Sequence, residues 1–365
     1  MPEPSGFVPP PYPYERLVEI AALAGTHEGG AVDLSIGTPC DPPPDDVVAA
    51  LSAGVSSRGY PPSIGTAPFR EAAASWLDRR LGARVDPATG VAACVGSKEF
   101  VASLPQYLKL RDPFRDTVLY PAISYPTYEM GATLAGCRAV AYLELDDISD
   151  DDAHRALCVW VNSPANPTGE LHDLAAVAAW GRLRGIPVVS DECYAEFTWT
   201  APATTVLRSG TDGVLAVHSL SKRDNFAGAR IGFYAGDAEL VHYLREVRKH
   251  AGLMPPGPVQ AAAVLALGDD EHVEAQRARY LRRMHRLVDV LAALGYHAEL
   301  PAGAFYLWVS APDGDAWAAA RDLARRAGMV VSPGEFYGPH GRRHFRVAAV
   351  QPDDRIELAA RRVGA

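Results

Sequence analysis

Lysine is scarce in this 365-residue chain: of 35 basic residues only four are lysine, namely Lys98, Lys109, Lys222 and Lys249. Asparagine is scarcer still, with Asn162, Asn166 and Asn225 as the whole supply. The five cysteines, Cys40, Cys94, Cys137, Cys158 and Cys193, are odd in number, lie far apart and form no CxxC. That excludes a disulfide frame and a cysteine zinc site, and leaves small buried hydrophobes as the ordinary reading. No HExxH or similar pair occurs among the 11 histidines, so no metal is expected. The lack of GxGxxG and of a P-loop removes the usual supports for nucleotide binding. No apolar run reaches the length of a membrane span, and the start "MPEPSGFVPPPYPYERL" lacks the cationic-then-apolar order of a signal sequence. A net charge of −9 argues against nucleic acid or an anionic membrane as partner. A cytoplasmic protein that contacts neither is the expectation.

What is present has the texture of an α/β protein. Hydrophobic residues make up 48% and charged ones 22%, and the length allows a large core and two lobes. Short apolar runs at 91–96, 116–123, 156–164, 186–194, 214–221 and 230–236 read as strands. Helical periods such as "KEFVASLPQYLKL" and "LHDLAAVAAWGRLRG" lie between several of them. Near-continuous apolar strands alternating with helices imply a mostly parallel sheet covered on both faces. After "MPPGP" the pattern shifts to a long charged helix near 271–295, then strands at 304–309 and 344–350 flanking the helix "AWAAARDLARRAG". A large domain is therefore expected over 46–255, and a smaller α/β domain over 1–45 together with 256–365.

Ligands of open α/β sheets bind beyond the carboxyl ends of the strands, and polar residues stand there. "CVWV" runs into Asn-Ser-Pro-Ala-Asn-Pro-Thr-Gly, "PVVS" into Asp191-Glu-Cys-Tyr194, "AVHS" into Leu-Ser-Lys222, "ACVG" into Ser97-Lys98, and "VLYPAIS" into Tyr125. A single lysine is usually a solvated surface cation, which is how Lys109 reads. Lysine differs from arginine in that its amine can shed a proton and attack an aldehyde. A lysine kept at a strand's carboxyl end in an arginine-rich chain suits a covalent aldehyde cofactor. Two of the three asparagines fall in "NSPANPTG" and the third lies three residues after Lys222. An Asn-Pro turn accounts for the backbone there, but amide hydrogen bonding accounts for the clustering.

Taken in order and spacing, "NSPANPTG", "SDECYAEF" and "SLSKRDNFAGARIGF" resemble the fold type I aminotransferases that use pyridoxal 5′-phosphate (PLP). The resemblance extends from "VDLSIGTP" to "HFRVAAV", nearly the whole chain. It implies a PLP-dependent transferase fold with a mostly parallel seven-stranded sheet in the large domain. It further implies Lys222 as the covalent anchor and the base for the substrate's Cα proton. Asp191 would pair with the pyridine nitrogen, Tyr194 and Asn166 would bond the phenolic oxygen, and Tyr125 would stack on the ring. Ser97 and Lys98 at a helix start, with Ser219 and Arg230, would hold the phosphate. Tyr60 would reach it from the neighbouring subunit, which implies a homodimer with shared active sites. Arg346, with Gly37 and Asn166, would take the substrate's α-carboxylate. No second arginine is placed for an acidic side chain, which argues against aspartate as the favoured donor.

Finer wording narrows the resemblance. "GYPPSIGTAPFREAAASWLDRR", "VGSKEFVASLPQYLKLRDP", "AISYPTYEMGATLAGC" and "VRKHAGLMPPGPVQAA" are similar to bacterial N-succinyldiaminopimelate aminotransferases. Such enzymes exchange an amino group between glutamate and N-succinyl-2-amino-6-oxopimelate, which implies amino acid and 2-oxo acid substrates. Another amino acid aminotransferase, or a PLP-dependent lyase of the same fold, is the alternative.

Overall fold

The computed structural model describes residues 6–53 and 58–365. The chain opens with helix α1 (Val18–Ala24), strand β1 (Val32–Asp33) and helices α2 (Asp45–Ser52) and α3 (Ala67–Leu81). Strand β2 (Val91–Cys94), α4 (Ser97–Arg111), β3 (Thr117–Pro121), α5 (Thr127–Leu134), β4 (Arg138–Tyr142) and α6 (Asp150–His154) follow. Next come β5 (Ala156–Asn162), α7 (Leu174–Arg184), β6 (Val188–Asp191), β7 (Val214–Ser219), the single turn α8 (Leu220–Arg223), β8 (Gly232–Gly236) and α9 (Ala238–His250). Helices α10 (Gly257–Gly268) and α11 (Glu271–Ala293), β9 (Tyr306–Ser310), α12 (Ala316–Ala327), β10 (Met329–Val330), β11 (Ser332–Pro333), β12 (His344–Ala348) and α13 (Asp353–Val363) complete it.

Seven strands form the main sheet in the order β2-β8-β7-β6-β5-β3-β4. The run from β7 to β4 is parallel, and β8 is antiparallel to both β2 and β7. Period-two alternation sends successive side chains to opposite faces, and both faces are buried. Val159, Val161, Val188 and Ala216 share one core with Phe69 and Leu77 of α3 and Val177 of α7. Their neighbours Cys158, Trp160, Val189 and Val217 share the other with Leu104 of α4 and Leu244 of α9. That two-sided burial is why these strands read as unbroken apolar runs. Strand β4 was not among the expected strands. It is an edge strand in which only Tyr142 is buried, Ala139 and Val140 being partly buried and Arg138 and Ala141 exposed, so "RAVAY" carries little periodic signal.

A second core joins both ends of the chain. Leu17, Ile20, Val32 and Leu34 pack with Leu287, Leu291, Leu307, Leu323 and Val347. Strands β11, β12 and β9 form an antiparallel sheet there, and β1 pairs parallel with β10. The segment 256–268, expected with this smaller lobe, sits elsewhere. Helix α10 packs against α2 and α3, and its Val259, Ala262, Ala263 and Ala266 belong to the large core. The prolines that suggested a boundary start the helix: Pro256 is its N-cap and Pro258 lies in its first turn, where a missing N–H costs nothing. Among the described residues no helix is long and apolar enough to cross a membrane.

Candidate active site

A cavity of about 430 Å³ opens where β5, β6 and β7 end, under the start of α4 and facing β12 of the small lobe. Gly37, Ser97, Lys98, Tyr125, Asn166, Asp191, Tyr194, Ser219, Lys222, Arg230 and Arg346 all line it. Of the residues singled out in the sequence only Tyr60 does not, and its side chain stands 98% exposed.

Lys222 rides on the single turn α8, which Ser219 caps by accepting the Ser221 N–H at 3.1 Å. Its Nζ donates to the Gly37 carbonyl. Gly37 must be glycine, since a Cβ there would fall 2.1 Å from the Tyr306 hydroxyl. Loss of hydration lowers the lysine to about 8 from the ordinary 10.5, with Arg346 and Arg230 also disfavouring the charge. The amine is protonated below that value and nucleophilic above it. In cofactor-free protein, the rate of covalent aldehyde capture is therefore expected to rise through pH about 8 rather than above 10. Stopped-flow absorbance after mixing with PLP reads the inflection directly, and an inflection left at the free-lysine value would refute the assignment.

Asp191 closes β6 and, among the described residues, is the one carboxylate on the cavity wall. Oδ2 accepts the Tyr128 hydroxyl at 2.9 Å and Oδ1 the Cys193 N–H at 3.2 Å. Burial raises its pKa, and those two donors act against the rise. A cation placed against it offsets the cost of burying the carboxylate. The asparagines divide the work. Asn162 donates to the Asp191 carbonyl at 2.8 Å and accepts the Asn166 N–H at 2.7 Å, tying the ends of β5 and β6 together. Asn166 Oδ1 accepts from Arg346 Nη1 at 2.7 Å.

Arg346 is buried, with Nη2 donating to the Ser35 carbonyl at 2.5 Å and its guanidinium 4.1 Å from the Tyr306 ring centroid. Its Nε is buried and finds no partner among the described residues. A bidentate anion supplies what that fork lacks. At the opposite wall, Gly96 turns the chain into α4 with φ +78°, and a Cβ there would fall 2.3 Å from Arg230 Nη2. Free N–H groups at this helix start, together with Arg230, form an anion cup. Ser97 Oγ, at the same point, accepts from the Cys193 thiol at 3.0 Å. The Lys98 side chain turns elsewhere: Nζ lies 4.8 Å from the Tyr12 ring and 5.5 Å from that of Tyr125, at the cavity mouth.

Four lining tyrosines were not singled out in the sequence. Tyr128 had a local sign, standing three residues after Tyr125 on the start of α5. Tyr306 comes from β9, its hydroxyl 2.8 Å from that of Tyr194. Tyr12 and Tyr14 come from the proline-rich start, with hydroxyls 3.2 Å from those of Tyr125 and Tyr337. Nothing local to that segment marks it as part of the site.

The family profile described as aminotransferase class I and II matches residues 30–363. This chain belongs to that family. Its members are PLP-dependent, so PLP is the cofactor. The chain is 42% identical to the 4-dedimethylamino-4-oxo-anhydrotetracycline transaminase OxyQ of Streptomyces rimosus, over 97% of this chain and 99% of that one. It is 42% identical to a probable aminotransferase of Mycobacterium tuberculosis, over 97% and 85%. Among solved structures, a probable N-succinyldiaminopimelate aminotransferase from Thermus thermophilus superposes with TM-score 0.85 at 28% identity, covering 96% of this chain and 99% of that one. The cavity suits PLP on its own evidence. It holds a depressed lysine, a buried carboxylate, an anion cup built around a glycine, and an arginine with an unpartnered Nε.

Proposed function

We propose that this aminotransferase exchanges an amino group between glutamate and N-succinyl-2-amino-6-oxopimelate. The observation that carries the transamination chemistry is the convergence of Lys222, Asp191 and Arg346 on one cavity. Bound PLP supplies an aldehyde and an electron-accepting ring that draws charge from the breaking Cα–H bond. Asp191, steadied by Tyr128 and Cys193, holds the ring nitrogen in its charged form. Tyr194 and Asn166 would bond the phenolic oxygen, and Tyr125 would stack on the ring. Ser97 and Lys98, through N–H groups at the start of α4, hold the phosphate with Ser219 and Arg230. Arg346, with Gly37 and Asn166, orients the α-carboxylate so that Cα–H faces Lys222. Lys222, whose amine lies in this cavity, would hold the aldehyde covalently and would serve as the base that takes the proton at the substrate's Cα and returns it. Tyr60, fully exposed in one chain, completes the phosphate cup of a partner subunit in a homodimer.

The acceptor rests on the motif wording, on the Thermus thermophilus structure, and on Lys98. That ammonium is held at the cavity mouth by two tyrosine rings and pairs with no carboxylate among the described residues. It suits the anionic far end of a succinylated acid. A bulky cyclic ketone is the second reading. It is supported by the OxyQ relative and by the phenolic rim of Tyr12, Tyr14 and Tyr125.

Glutamate-dependent turnover over a panel of acceptors separates the two. The succinylated oxopimelate is expected to exceed aromatic and branched oxo acids in kcat/KM by roughly 100-fold. Turnover confined to cyclic ketones would replace the acceptor and leave the aminotransferase standing.

A further inference from the structure

The three residues after Lys222 are each tied to the same distant element. Arg223 is 5% exposed, Asp224 is wholly buried, and Asn225 holds a left-handed backbone at φ +52°. Arg223 bonds the Asp224 carboxylate, Asp270 Oδ1 at 3.2 Å, and the Ala266 carbonyl at 2.6 Å. Asp224 Oδ1 also lies 3.0 Å from His272 Nε2, whose Nδ1 is 3.1 Å from Asp269 Oδ2. Asn225 Nδ2 donates to Gln276 Oε1 at 3.2 Å and reaches the Pro42 carbonyl at 3.4 Å. Asp270, His272 and Gln276 are the N-cap and first turns of α11. His272 and Gln276, four residues apart, share one helix face.

Helix α11 then leaves the large lobe. Its Tyr280, Met284, Leu287, Val290 and Leu291 lie in the core of the small lobe. Gln276 continues the chain of contacts by donating to Asp41 Oδ2 at 2.8 Å, and Asp41 accepts both Arg283 Nη groups at 2.6 and 2.8 Å. Residue 41 lies in the segment that runs from Gly37, whose carbonyl accepts Lys222, to α2. Arg223 also bonds Glu196, which ends the turn begun by Asp191. A buried arginine facing three carboxylates is costly to break on one side only. Left-handed φ is a conformation that asparagine tolerates better than most residues.

We infer that Arg223, Asp224 and Asn225 are positioning residues: they lock the turn bearing Lys222 to the first turns of α11, so that the lysine and the small lobe take one relative setting. The inference rests on the reading of Lys222 as the anchor. Adjacent Cα atoms are about 3.8 Å apart, so a shift of the clamp moves the base of the lysine with it. Displacements near 1 Å can cost about 100-fold in rate.

The test pairs Asn225→Gly, which keeps the left-handed backbone and deletes the amide, with Gln276→Ala on the far side of the contact. In PLP-loaded full-length protein each is expected to lower kcat about tenfold while KM for glutamate stays within about twofold. The double variant is expected to lose clearly less than the product of the two single losses, because both cut the Asn225–Gln276 contact they share. In cofactor-free protein, the pH midpoint of Lys222 labelling by trinitrobenzenesulfonate, read by mass spectrometry, should rise by about half a unit or more as water reaches the amine. Unchanged kcat and an unchanged labelling midpoint with only a lowered melting temperature would overturn the clamp. So would losses that multiply in the double variant. Failure of wild-type protein to hold PLP on Lys222 would instead refute the reading of the anchor, and the labelling midpoint would still decide the clamp.

Discussion

Replacing Lys222 by alanine is expected to abolish covalent retention of PLP and to lower transamination by at least about 1,000-fold, combining the loss of a nucleophile with that of a general base. Lys222→Arg sharpens the test, because it keeps a cation of similar reach. Guanidinium stays charged throughout the working pH range, whereas the lysine here is lowered to about 8 by loss of hydration. The arginine variant should therefore fail as completely as alanine, while binding PLP non-covalently through Arg230 and the start of α4. Borohydride reduction followed by gel filtration in denaturant separates the outcomes: wild type carries a pyridoxyl absorbance band through the column, and both variants lose it. A Lys222→Arg protein that retained the band would mean that another amine holds the cofactor. Lys98 is the other lysine on the cavity wall, and its placement between two tyrosine rings makes it the residue to examine next.

How far this was legible in the sequence depended on the distance over which each signal acts. Strands β5, β6 and β7 are buried on both faces, so their apolar runs and the polar residues ending them stood out. Those ends carry Asn162, Asp191 and Ser219, and the site followed from them. Strand β4 escaped because an edge strand needs only one well-buried residue, Tyr142. Helix α10 was placed in the wrong lobe because prolines that begin a helix look, in sequence, like those that separate domains. Tyr12 was beyond reach in a different way: its contact with Tyr125 spans 113 residues, and nothing near it varies with that contact. Asn225 shows the intermediate case. Its rarity and its nearness to Lys222 marked it as special, yet its partners, Gln276 and the Pro42 carbonyl, come from segments that only the folded chain brings together. The scarcity of lysine and asparagine pointed to Lys222, Asn162 and Asn166, which line the cavity, and tertiary contacts decided which partners they meet there.

Asp191→Asn is expected to lower kcat by roughly 100- to 1,000-fold, the equivalent of about 3–4 kcal/mol, as one side of a buried ion pair is lost. The amide is nearly isosteric with the carboxylate: its oxygen can still accept the Cys193 N–H while its NH2 faces the Tyr128 hydroxyl, which can turn to accept, so the shape should change little. What disappears is, among the described residues, the only negative charge on a wall that carries Lys98, Lys222, Arg230 and Arg346. The pH dependence of PLP affinity supplies a second readout with a definite sign. In cofactor-free protein, burial raises the Asp191 pKa. Pairing with a charged ring nitrogen lowers it again, so PLP binding favours the ionised carboxylate. Affinity should therefore be full above the raised pKa of the free protein and should weaken as the pH falls through it. Asparagine has no proton to take up there. The difference in PLP affinity between wild type and variant should shrink as the medium is acidified, after the titration common to both proteins cancels. A gap that stayed constant with pH would mean that Asp191 contributes shape and hydrogen bonds rather than charge, and Asp191→Ala would then be worse than Asp191→Asn.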